Sequence, residues 1–345
     1  MRKLIIVLTL LTCATAPAMA QTARDRAAER RAQQEERRAQ RDQQRRNEES
    51  QTERISKTFS IGAEGELDVS NIAGDIVVTR GAGGSATIEA VKTARGDDAR
   101  GVLALVVVDM VERGNRVEVR TRYPDWEELR RRNRRNINVE VDYTITAPAN
   151  TRIIGKSISG SVSVRDIVGA LTVESTSGNV TVANAGRVVT AKSISGDVEA
   201  LDTKIDGTLE ASSISGTVRV RRTSARSATL NTVSGSVVVE DVKCDRIEGQ
   251  TVSGSVTFSG DLEPGGRYEF GSHSGTVKVM VGTGKTGFQL EATTFSGSIN
   301  TELPLTMQGT GGQGRRQRSM RATFGNGGAT LVLNAFSGDI LIVKR

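Results

Sequence analysis

One octapeptide constrains the fold of this chain more than any other feature. It is Ser157 to Val164, SISGSVSV, and relatives of it recur down the sequence at a nearly constant interval. The Gly of its Ser-Gly pair returns at Gly178, Gly196, Gly216, Gly235, Gly254, Gly275, Gly297 and Gly338. Counted from Gly160 the spacings are 18, 18, 20, 19, 19, 21, 22 and 41, so the last gap holds about two periods and implies one degenerate or looped-out turn. A divergent copy, Asn71-Ile72-Ala73-Gly74-Asp75-Ile76, opens the series upstream.

Aligned on that Gly, apolar residues stand seven, five and two positions before it and two and four after it. Ile153, Leu171 and Val189 represent the first of these positions, and Val162, Val180 and Val198 the fourth. Steps of two on either side of a three-residue step predict two short strands with one inward face, joined at a bend. A period near 20 that contains two strands is one coil of a solenoid, in which neighbouring coils pair strand on strand. The expected fold is therefore all-β, a parallel β-solenoid of about 19–20-residue coils, roughly 45 Å long at about 4.8 Å per stacked strand. The Gly is expected at a corner where a side chain would collide with the coil interior. The residue two before it (Ile158, Ile194, Ile214, Val233, Val252, His273, Phe295, Phe336) is expected to face inward or into the corner. Ser159, Ser177, Ser195, Ser215, Ser234 and Ser253 are expected to stack as an outward, polar ladder.

Ahead of the repeats the chain divides into three stretches. Residues 1–20 read as a secretory signal peptide, with Arg2 and Lys3 before the apolar run Leu4 to Leu11 and Ala18-Met19-Ala20 ahead of Gln21. That run is too short to span a bilayer, so no transmembrane segment is expected after cleavage. Residues 21–54 are rich in Arg, Gln, Glu and Ala, lack an apolar heptad, and read as a charged flexible or helical linker. Residues 55–150 read as a first coil plus a β-rich cap insertion: a strand at Ser85 to Lys92, a short helix within Asp97 to Leu105, a hairpin around Gly114-Asn115, and the strand Ile137 to Ala147. Residues 151–345 carry the regular coils. A solenoid needs covered ends, because an open one exposes unpaired backbone groups. The insertion is expected to cover one end, and the terminal Lys344 and Arg345 are expected to serve as edge charges at the other.

Two Arg clusters are candidate anion-binding sites: Arg130, Arg131, Arg132, Arg134 and Arg135, and then Arg315, Arg316, Arg318 and Arg321. Guanidinium groups grip phosphates and carboxylates bidentately. For an exported chain the expected partners are an envelope polyanion, a glycan or an envelope protein. Nucleic acid is not expected, given the compartment and only 3% aromatic residues for base stacking. The location expected is periplasmic or cell-surface associated.

Catalytic candidates are few. His273 is the sole histidine and fills a repeat position. The Ser before Gly recurs in nearly every coil, where a nucleophile needs one activated copy. Asp197 and Glu199 flank Val198 as the best carboxylate pair, yet Arg219 occupies the register of Glu199 one coil on, which points to a cross-strand ion pair. No cofactor is expected, and Cys244, the only cysteine after the leader, is expected to be a small side chain at a turn. The function expected is a non-enzymatic adhesin-like binding or structural module. The alternatives are a carbohydrate-active β-helix enzyme and an envelope-stress signalling accessory that uses residues 21–54.

NIAGDIVV near the start, VEVDYTITAPANTRI before the array, the SISGSVSV and TVSGSVVVE units, and the closing AFSGDILIV together resemble the bacterial putative-adhesin family over about residues 55–345. That resemblance implies an envelope or surface location and a β-solenoid, and it supplies no catalytic residues.

Overall fold

The computed structural model describes residues 50–96, 98–132, 137–187, 189–282, 286–308 and 318–345. The leader, the charged segment up to residue 49, and Arg134, Arg135, Arg315 and Arg316 lie outside the described residues.

The repeats form a β-solenoid with two facing sheets, one of 13 strands and one of 14. Each coil contributes a strand to both. In the coil around Gly160, Arg152–Ser159 lies in the larger sheet and Val162–Arg165 in the smaller. Coils stack in parallel and in register, Ile153 beside Leu171 beside Val189, and Val162 beside Val180 beside Val198. Those residues are fully or almost fully buried, so the two inner faces build one continuous core. At the corner beyond the shorter strand, Asp166, Asn184, Asp202, Arg222 and Asp241 take positive φ angles of 46 to 61°. Asp and Asn tolerate this left-handed backbone better than other side chains. Arg222 is held there by Asp202, with Nε and Nη2 donating to the two carboxylate oxygens at 2.5 and 2.8 Å.

At both ends the order of coils in space departs from their order in sequence. At the amino-terminal end, Glu66–Ala73 pairs with Arg152–Ser159 on one side and Arg116–Arg122 on the other. In the other sheet, Ile76–Arg80 lies between Val162–Arg165 and Val139–Ala147. The insertion thus supplies an extra coil outside the first one. Antiparallel strands finish that end: Val107–Arg113 in one sheet, Ser85–Arg95 and then Ser50–Ser60 in the other. The edge strand begins at Ser50, inside the stretch expected to be a linker. It is anchored by Lys92, a buried lysine whose Nζ lies 2.7 Å from Glu53 and donates to the carbonyls of Leu103 and Val106 at 3.1 Å.

At the carboxy-terminal end the last coil, Ala329–Ser337 with Ile340–Lys344, is inserted between the coil at 267–281 and the coil at 288–301. This explains the 41-residue gap: the chain lays down the outermost coil, covers it with the antiparallel strand Arg318–Phe324, and returns to fill the slot behind. Lys344 and Arg345 are therefore not edge charges. Their strand lies between two coils: Lys344 pairs in register with Val281, and the exposed Arg345 has its Nη2 2.5 Å from Asp241 and its amide donating to the Val281 carbonyl.

Candidate functional site

The Ser-Gly corner explains the repeat. A Cβ on Gly178 would stand 2.2 Å from the carbonyl oxygen of Gly160, and one on Gly196 equally close to that of Gly178. The collision is thus with the backbone of the neighbouring coil, along the stacking axis, and not with the coil interior as the pattern suggested. The same carbonyl accepts a hydrogen bond from the hydroxyl three residues before the next Gly. Ser175 donates to Gly160, Ser193 to Gly178 and Ser213 to Gly196, each at 2.8 Å. Thr232, Thr251 and Ser272 continue the ladder. These hydroxyls are buried, and the bond satisfies a carbonyl that stacking withdraws from water.

Inward alternation therefore runs seven, five and three residues before the Gly, its last position held by Ser or Thr. The apolar residue two before the Gly belongs to the opposite face. Ile158, Ile194, Ile214, Val233, Val252, Phe295 and Phe336 are 42–53% exposed, which overturns their expected inward placement. They form an outer stripe one side chain wide, broken at Thr176, with Ile72 at its amino-terminal end. His273 is on the stripe as well, stacked on Phe336 at 4.6 Å with the rings 7° apart, and Phe336 stacks in turn on Phe295 at 5.0 Å. Ser159, Ser177, Ser195, Ser215, Ser234 and Ser253 are exposed beside it.

Between this stripe and the row four residues before the Gly runs a groove of about 820 Å³, floored by the bonded hydroxyls. Its banks are Ile158, Thr176, Ile194, Ile214 and Val233 on one side and Lys156, Glu174, Lys192, Ser212 and Asn231 on the other. Arg120, Thr121 and Arg122 of the amino-terminal coil line one end. Further along the stack, a second hollow of about 530 Å³ continues past Val252, His273, Phe336 and Phe295.

Of the Arg candidates, Arg130 and Arg131 end a short helix, Trp126–Arg131, started by Asp125, whose carboxylate accepts from the Glu128 amide at 2.8 Å. Arg132 follows it and pairs with Glu128 at 3.2 Å, and all three are exposed. Arg318 and Arg321 lie on the covering strand at the other end of the stack. Arg321 pairs with Glu291 at 2.8 Å, which raises its pKa, and Arg318 donates to the Gly297 carbonyl. The described members, Arg130 to Arg132 and Arg318 with Arg321, therefore sit at opposite ends of the stack.

The carboxylates are also accounted for. Glu199 pairs with Arg219 at 2.6 Å, the cross-strand contact expected, and Asp197 accepts the Thr217 amide of the next coil at 2.7 Å. Asp339 accepts from the hydroxyl and amide of Ser298, which lowers its pKa. Cys244 is buried within the strand Lys243–Ser253, where desolvation pushes its thiol up to about 11, so it is a core residue and not a turn residue. No group of three or more His, Cys, Asp or Glu suited to a metal ion occurs among the described residues. Among those residues, no helix is long and apolar enough to cross a membrane.

Comparison with curated proteins gives no match. Solved structures that the chain matches include a putative adhesin from Bacteroides fragilis NCTC 9343, 12% identical, covering 84% of this chain and 97% of its own, with a TM-score of 0.42. A putative lipid binding protein from Parabacteroides distasonis ATCC 8503 is 12% identical over 83% of this chain and 96% of its own, at 0.45. A putative cell adhesion protein from Clostridium sporogenes ATCC 15579 is 8% identical over 86% of this chain and all of its own, at 0.23. The family model described as Toastrack DUF4097 matches residues 64–343, the stretch that carries every coil of the stack, and the chain belongs to that family.

Proposed function

We propose that this protein is an exported, non-catalytic binding module of the cell envelope that captures its partner along the outer stripe, with Arg130, Arg131 and Arg132 adding attraction to anionic envelope components. The leader at residues 1–20 supports export. The observation that carries the reading is the in-register exposure of a large apolar side chain in nearly every coil, Thr176 and His273 excepted, beside an exposed serine row. Scattered apolar side chains are normal on a protein surface, whereas a contiguous line of them marks an interaction site. The paired state of Glu199 and the structural bond of Asp197 weigh against a glycan-cleaving carboxylate pair.

The test is capture of envelope polymers and lipids by the chain from Gln21 onward, at low and high salt. It is compared with Ile194→Asp/Ile214→Asp and with Arg130→Ala/Arg131→Ala/Arg132→Ala. Loss of capture at every salt concentration in the stripe variant, and only of the salt-sensitive part in the Arg variant, is expected. Undiminished capture by the stripe variant overturns the reading. Far-UV circular dichroism checks that both variants keep their β structure.

A further inference from the structure

The groove has a chemistry of its own. Resting on the stripe as the binding surface, we propose that the 820 Å³ groove takes a single-chain anionic amphiphile, its alkyl tail lying along the stack and its head group at the end lined by Arg120 and Arg122.

Three features of the groove select this occupant. The first is the floor. Ser175, Ser193, Ser213 and Thr232 spend their hydroxyl protons on glycine carbonyls of the coil behind and are almost fully buried. A floor with no free donor suits a hydrocarbon better than a sugar, whose hydroxyls lose affinity wherever they go unpaired. The second is length. The stripe from Ile72 to Val233 crosses six coils, a run of about 24 Å at 4.8 Å per strand. A lipid tail reaches about 15 Å, half of the roughly 30 Å hydrocarbon core of a bilayer. The apolar bank is interrupted only by Thr176, which still offers a methyl group.

The third feature is charge. The groove is lined by four cations, Arg120, Arg122, Lys156 and Lys192, and by one carboxylate, Glu174. Lys156 is 3.2 Å from Glu174, Lys192 is paired with Glu210, and Arg122 with Asp109. Arg120 is the least committed, since its nearest carboxylate, Glu118, is 3.9 Å away, and it is 59% exposed. The surplus positive charge is therefore concentrated at the amino-terminal end of the groove, where a guanidinium donates bidentately to the oxygens of a phosphate or carboxylate head group. A volume of 820 Å³ falls within the usual range for small-molecule sites.

Titration calorimetry with octyl, decyl and dodecyl phosphate below their micellar concentrations tests this, with dodecanol and dodecyltrimethylammonium as head-group controls. Affinity is expected to rise about 5- to 15-fold for each added pair of methylenes, the upper figure being full burial. Ile194→Asp/Ile214→Asp should abolish binding of dodecyl phosphate. Arg120→Gln/Arg122→Gln should weaken dodecyl phosphate about 10-fold while leaving dodecanol unchanged, the readout that a merely unfolded variant could not give. Equal affinity for anionic, neutral and cationic heads, no dependence on chain length, or binding only to phosphatidylglycerol vesicles and not to monomers overturns the proposal. If the stripe variant loses envelope capture yet no monomeric amphiphile binds, the ligand class fails and the binding surface stands. If envelope capture survives the stripe substitutions, the surface itself is wrong.

Discussion

The regular coils at 152–281 and the two ends use the same strand chemistry but differ in how the chain visits them. In the array each coil stacks on the one before it, so a repeat of about 20 residues maps directly onto the next rung. At the ends the chain leaves a slot or adds an outer rung, and the corner glycines show the change. The Cβ of Gly196 would strike the carbonyl of Gly178, its predecessor in sequence, whereas that of Gly297 would strike Gly338, which follows it by 41 residues. A solenoid built only in sequence order can fray one coil at a time from a free end. Here the outermost carboxy-terminal coil is bracketed by chain that comes later, so the last residues of the sequence hold the end closed from within.

The largest effect should come from breaking that bracket. A chain ending at Gly328 lacks Ala329–Ser337 and Ile340–Lys344, each paired on both sides. The coil at 288–301 and its covering strand then have no neighbour to stack on. Limited proteolysis with mass spectrometry should show trimming back to about residue 282 in the truncated chain. Deleting Ser50–Ser60, which pairs with Ser85–Arg95 alone, should leave the remainder resistant. Protection of residues 288–324 in the truncated chain would show that the inserted coil is not what holds that end.

Within the array the corresponding break is a methyl group. Gly196→Ala places a Cβ 2.2 Å from a backbone carbonyl that cannot move without shifting a whole coil, and should cost about 3 kcal/mol, the upper range for overpacking. Gly271→Ala is the matched control. Its Cβ meets nothing closer than 3.8 Å, and the expected change is within about 0.5 kcal/mol. Chemical denaturation of the two variants decides it. Equal stabilities would mean that the corner relaxes and that the repeated Gly has some other cause.

How much of this was legible in the residues differs between the same two regions. The rungs at Ile153, Val162, Val180 and Val198 follow from strict alternation, which a strand imposes whatever its neighbours are. The stripe was misplaced because Ile158 and its counterparts are apolar, and an apolar residue in a repeat invites an inward assignment. The signal that places it correctly was present: a Ser or Thr recurs three before the Gly, at Ser157, Ser175, Ser193, Ser213, Thr232 and Thr251, and continues the inward alternation without a break. The swapped order at the ends left no such trace. A coil is defined by its own inward pattern, and Leu331 or Ile340 would read the same in any slot. The groove was equally hidden, since Arg120 and Arg122 reach it from a coil that the chain forms before the array begins.

The smallest effects concern the hydroxyl ladder, whose counterpart at the amino-terminal end carries more. In the array, Ser193→Ala removes one hydrogen bond to Gly178 and should cost about 1 kcal/mol, while Ser195→Ala, on the exposed row, should cost less than about 0.5. In the first coil the equivalent residue is Asn71. Its amide donates to the carbonyls of Ala73, Gly74 and Val141 at 3.1, 2.9 and 2.8 Å, and its oxygen accepts from Thr121, which also bonds Tyr143 at 2.6 Å. One side chain thus ties the first coil to the extra coil outside it. Asn71→Ala should cost about 2–3 kcal/mol, because it leaves several buried polar groups unsatisfied together. Hydrogen exchange suits this better than a global melt, since coils that contact only their neighbours can open separately. Faster exchange confined to residues 66–80 and 116–147 in Asn71→Ala, and to the coils beside Ser193 in Ser193→Ala, is the expected result. Acceleration spread evenly along the chain in both would mean that the ends and the array open as one unit.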